Sequence, residues 1–191
     1  SSYSDSKAGL LSLQAGLSAE GEGGEVLIEA GFSKEGKGGS VNIHSGDSEK
    51  FSGDILLSTP SSLETGDIAL RTGNAMEEAS GSLVFETGNS TLSQAGGISF
   101  SIGSSYSGNG PNIDLKAGDT SSSLFSGGDV LLKGGNGLGS SDSHGGSVSI
   151  AGGSSIYGSG GDVSIQSGKG IVGSSGSVSI VSADSGKNGV S

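Results

Sequence analysis

The chain has 191 residues, among them 40 glycines, two prolines and no cysteine, and it carries a net charge of −11. Without cysteine there is neither a disulfide framework nor a thiolate metal site, and the acidic balance argues against nucleic acid or an anionic membrane as partner. No apolar run nears the roughly 18 residues that a membrane helix needs, so insertion into a membrane is not expected.

A patternless chain this rich in glycine and serine reads as a disordered linker. Here the apolar residues are periodic, and collagen's glycine at every third position is not kept. An eight-residue phrase, roughly Gly-Asp/Ser-Val/Ile-x-Ile/Leu-x-Ser/Thr-Gly, returns twelve times. In chain order its first apolar residue is Leu11, Val26, Val41, Ile55, Ile68, Leu83, Ile98, Ile113, Val130, Val148, Val163 and Val178. Most intervals are about 15 residues, too short for a helical hairpin or a propeller blade.

Inside each phrase the apolar residues alternate, the mark of an extended segment with one apolar side. A second row runs from Leu13 through Ile28, Ile43, Leu57 and Leu70 to Ile180 without a polar break. The third row, from Ala15 and Ala30 to Ser167 and Ser182, is mostly small, as suits a corner. Glycines follow that corner, among them Gly16, Gly31, Gly46 and Gly73, and are expected at positive φ. Lone apolar residues of the return path, such as Leu63, Met76, Leu92 and Tyr106, are expected to close the core from the far side.

Equal phrases at a fixed period stack well in register, so the sequence predicts an all-β fold. The expected form is a single-stranded-stack parallel β-solenoid (β-helix) of about 12 coils of about 15 residues, right-handed by the crossover preference. Residues 1–191 read as one continuous β-solenoid array. Ser1-Ser2-Tyr3 repeats the internal Ser104-Ser105-Tyr106, and Asn188 to Ser191 stop partway round a repeat, which points to a segment of a longer repeat protein. Insertions, the longest at Asp119 to Ser126 and Asn136 to His144, are expected to bulge from the return path.

Catalytic chemistry finds little footing. His44 and His144, the only two histidines, lie several repeats apart, and no GxSxG elbow occurs. Gly31 to Lys37 imitates the phosphate loop GxxxxGK, but Gly38 replaces the hydroxyl residue and another phrase follows where a helix is required. No catalytic residue and no cofactor-binding residue is assigned, and the chain is not expected to be an enzyme. Asp54 and Asp67 take equivalent positions in successive phrases; they are turn formers or, as the sole metal candidates, calcium ligands. Gly127 to Val130 and Gly160 to Val163 share GGDV with the calcium-binding nonapeptide but lack its GxGxD core. Asn89-Ser90-Thr91 is an N-glycosylation sequon, which makes Asn89 the candidate for a glycan. Arg71 and Glu86 are expected as a cross-strand pair.

In repeat style the chain resembles the Gly/Ser-rich β-solenoid repeats of extracellular adhesins, stalks and matrix filaments. The resemblance spans the whole chain and implies a structural protein outside the cell or at its surface: a rigid rod or filament segment acting as spacer, matrix or adhesive scaffold. Self-association by end-to-end stacking is expected at uncapped strand edges, and glycans are candidate partners. Ice binding is the alternative, because short-coil solenoids include antifreeze proteins. It meets the objection that the outward row Ser12, Leu27, Asn42, Leu56, Ala69, Val84 is mixed where a threonine lattice is needed. A carbohydrate-active β-helix is the second alternative, and it needs two acids across a cleft.

Overall fold

The computed structural model describes residues 8–139 and 142–183. The two chain ends compared above lie outside them. Two units divide the chain, Ser1–Gly96 and Gly97–Ser191, and both are built from the same local device.

That device is a pinched loop. The carbonyl of the glycine ending one phrase accepts a hydrogen bond from the amide of the glycine opening the next. In the first unit Gly24 donates to Gly16 at 2.8 Å, Gly39 to Gly31 at 2.9 Å and Gly53 to Gly46 at 2.8 Å. In the second unit Gly128 donates to Gly118, Gly146 to Gly135, Gly161 to Gly153 and Gly176 to Gly168, all at 2.8–2.9 Å. The partners stand between 7 and 11 positions apart, yet the neck has one geometry, so insertions are taken up inside the loop as expected. Bends fall within these loops, at 34–36, 91–93 and 156–158 for example, and none falls within a phrase.

The expected β-solenoid is not what forms. Among the described residues there is neither helix nor strand, and the phrases run as unpaired coil. The neck gives the reason. Eight extended residues span roughly 23 Å at about 3.3 Å each, and stacking in register sets Gly24 over Gly9, far from Gly16. The Gly24–Gly16 bond instead joins the end of one phrase to the start of the next. The flanking arms diverge from that point and leave between them an open cleft of about 420 Å³, lined by Leu13, Ala15, Val26, Leu27 and Ile28 among others. A ladder between whole phrases does not form.

No described residue is a buried hydrophobe. The first row keeps half of its surface or more exposed, from Val178 at 50% to Leu11 at 84%. The return-path residues expected to close a core stand free of it, Leu63, Met76 and Tyr106 being fully exposed. The chain's accessible surface is 19942 Å². A globular chain of this mass shows about 8,100 Å² and an unfolded one about 26,500 Å², so the fold has about a quarter of the extended surface covered.

Glycine's role also differs from the expected one. Among the described residues the only positive φ is that of Gly108, at 144°. A Cβ on the acceptor glycines Gly16, Gly31 or Gly46 meets nothing within 4 Å. On the donor side there is no such room. A Cβ on Gly24 lies 2.9 Å from the Gly16 nitrogen and 3.1 Å from the Ala15 Cβ, and on Gly39 it lies 3.1 Å from the Gly31 nitrogen and 3.2 Å from the Ala30 Cβ. Close approach of two backbones, and no left-handed dihedral, is what calls for glycine here.

Closure of the necks goes with the kind of residue in the third row. Before the seven bonded acceptors stand Ala15, Ala30, Ser45, Ala117, Gly134, Gly152 and Ser167, all without branching at Cβ. Before Pro60, Gly73, Gly88 and Gly103, where no such bond forms, stand Thr59, Thr72, Thr87 and Ile102, all branched. The Thr72 Cγ2 lies 3.6 Å from the Cβ position of Gly81, and the Thr59 Cγ2 3.9 Å from that of Gly66, so in both the branch methyl is the nearest neighbour on that side. The Gly103 loop carries a second obstacle: Pro111, at the donor position, has no N–H to give.

Candidate functional site

Six of the loops begin in the same way. Two residues past the acceptor glycine a hydroxyl takes an amide N–H from further along the bend, which holds the turn. Ser18 Oγ accepts from Gly21 at 2.9 Å, Ser33 Oγ from Gly36 at 3.0 Å, Ser90 Oγ from Ser93 at 3.2 Å and Ser155 Oγ from Gly158 at 2.9 Å. Ser48 Oγ serves both Lys50 and Phe51, at 3.1 and 3.4 Å, and Thr120 Oγ1 accepts from Ser122 at 3.2 Å. These hydroxyls were the residues that phrase counting passed over. Their signal is legible afterwards as Gly-x-Ser/Thr directly behind a phrase. Ser33→Ala is expected to release the Gly36 amide, seen as a several-fold rise in its exchange rate, with the Gly39–Gly31 neck unchanged.

The loops therefore present a solvent-facing tip on a fixed base. Asn89 is exposed, one residue past Gly88, and Thr91 opens the bend at 91–93. The middle residue of the sequon, Ser90, has its oxygen engaged with the Ser93 amide. The asparagine and the threonine are thus both exposed at this turn.

Asp54 and Asp67 each follow a donor-position glycine, Gly53 and Gly66, and both are exposed. Among the described residues no group of three or more histidine, cysteine or acidic side chains comes together around a common point. Two isolated carboxylates offer calcium fewer oxygens than the six to eight it takes, so water or a second molecule has to supply the rest. His44 and His144 are both exposed.

Among the described residues the sole ion pair joins Lys116 Nζ to Asp119 Oδ2 at 2.7 Å, across the base of the Gly118 loop. Both side chains are largely in water, so the pair contributes little to stability. Arg71 and Glu86, expected as neighbours on adjacent strands, form no ion pair, because the strands that would have aligned them are not there. No described helix is long and apolar enough to cross a membrane.

Comparison with protein-family models, curated proteins and solved structures returns no match.

Proposed function

We propose that the chain is a structural segment, one repetitive array over residues 1–191 of an extracellular or cell-surface protein, acting as spacer, matrix or adhesive scaffold and not as an enzyme. The observation that carries this reading is the repetition of one local unit. A phrase, a glycine neck and a hydroxyl-capped turn recur along both halves, while loop length varies freely inside the neck. Such a chain distributes its chemistry evenly and repeats the same surface many times, which suits multivalent, low-affinity contact. Glycans attached at Asn89, and calcium recruited by Asp54 or Asp67 together with a neighbour's oxygens, are compatible additions.

Surface biotinylation and immunogold labelling of native material test the proposal. Label on the outer surface or in secreted matrix is the expected result, together with loss of a glycan-sized mass on Asn89→Gln in a glycosylating host. Protein confined to the cell interior overturns it, and so does faceted ice growth with thermal hysteresis at micromolar chain, which selects the ice-binding reading instead.

A further inference from the structure

Two phrases carry a charge pattern that the structural role leaves unused. One reads Asp129-Val130-Leu131-Leu132-Lys133, the other Asp67-Ile68-Ala69-Leu70-Arg71. Each has an acid at its first position, a base at its fifth and apolar residues between. Paired antiparallel with a copy of itself, such a phrase matches residue 129 to 133, 130 to 132 and 131 to 131. Asp129 then meets the other copy's Lys133 twice over, once at each end, around an apolar middle.

The structure leaves these phrases available for that pairing. Within residues 129–133 and 67–71 no backbone group takes part in a hydrogen bond, and the four charged side chains make no ion pair. Exposure alternates as it must in extended chain, with Val130 at 56%, Leu131 at 84% and Leu132 at 64%. Asp129, Leu131 and Lys133 therefore share one side, and Val130 and Leu132 the other. A row of unpaired amides and carbonyls beside exposed branched side chains is a template for a further strand.

We propose that Asp129–Lys133, with Asp67–Arg71 as a second site, is a self-recognition strand through which two copies of the chain pair antiparallel and laterally. Charge complementarity selects the occupant. A two-fold axis through Leu131 satisfies both charges at once with no other protein needed, and the two sites also complement each other, Asp67 facing Lys133 and Arg71 facing Asp129. Other phrases are not built this way. Glu25-Val26-Leu27-Ile28-Glu29 sets acid against acid in the same alignment, so it discriminates against pairing there. The pairing deepens the scaffold reading and rests on it for its setting, but its test uses purified chain and is decided independently of where the protein resides.

Sedimentation velocity of the full chain at low ionic strength, over a range of concentrations, reads the pairing directly. Wild-type chain is expected to associate reversibly, its average mass rising with concentration. The acidic variant R71E/K133E and the basic variant D67K/D129K are each expected to dissociate about tenfold more readily. An equimolar mixture of the two regains wild-type association, because every contact is again acid against base. Wild-type chain that stays monomeric overturns the proposal, as does association that both variants retain or a mixture that fails to recover it. All four positions are exposed, and circular dichroism of each variant matching wild type shows that the substitutions act on association and not on the fold.

Discussion

Valine in place of Gly39 opens the loop behind it, whereas alanine in place of Gly31, across the same hydrogen bond, leaves it closed. The two glycines look equivalent in the sequence, and the structure separates them. A side chain at 39 points into the Gly31 nitrogen and the Ala30 Cβ, at 3.1 and 3.2 Å, both of which belong to the facing arm and have no free rotor to yield. A side chain at 31 enters open solvent. The neck amounts to one backbone hydrogen bond, whose net contribution is about 0.5–1.5 kcal/mol, so the population of closed loop falls roughly two- to tenfold in Gly39→Val. The scalar coupling across the hydrogen bond, from the residue-39 nitrogen to the Gly31 carbonyl carbon, reports it. That coupling weakens in proportion in Gly39→Val and keeps its parent value in Gly31→Ala; the reverse order refutes the account of close approach. Gly24→Val is expected to act likewise on Gly16.

Exchanging third-row residues switches necks in both directions. Thr72→Ala removes the Cγ2 that lies 3.6 Å from the Cβ position of Gly81 and is expected to let the Gly81 amide reach the Gly73 carbonyl. Ala30→Ile does the opposite for Gly39 and Gly31, placing two γ carbons where one methyl now fits. The same coupling measurement follows both variants: one gains a bond that the parent lacks, the other loses one it has. Closure that is indifferent to branching would show that the division between Ala15, Ala30, Ser45, Ala117, Gly134, Gly152 and Ser167 and the branched set is coincidence. The Gly103 loop is a useful control, because Ile102→Ala alone cannot close it while Pro111 supplies no amide.

Part of this was legible in the sequence. Alternation along Val26, Leu27 and Ile28 predicted which side chains share a side, and their exposures of 55%, 75% and 65% keep that rhythm. Loop drift between Gly118 and Gly128, or Gly135 and Gly146, was predicted to be absorbed off the phrases, and it is. What covers the apolar rows was not legible. A period of two fixes the side on which Val26 and Ile28 lie, but it is the same whether a strand of the same chain, a strand of another copy or solvent meets them. The stack was inferred from equality of phrases alone, and the necks spend the return path otherwise. Glycine misled for a related reason: Gly16 and Gly24 are the same letter, and only the facing backbone reveals that the second is sterically obliged. The hydroxyls of Ser18, Ser33 and Ser155 escaped because serine is too common in this chain for its position to stand out.

Amide hydrogen exchange on dilute, monomeric chain tests most directly whether necks or ladders hold the repeats together. Protection is predicted at the donor glycines Gly24, Gly39, Gly53, Gly128, Gly146, Gly161 and Gly176 and at the hydroxyl-capped amides of the bends, with fast exchange through Val26 to Ile28 and Val163 to Ile165. Slow exchange at successive amides through every inner phrase of a monomer would contradict it, since a strand stacked between two repeats bonds each of its amides to one or the other.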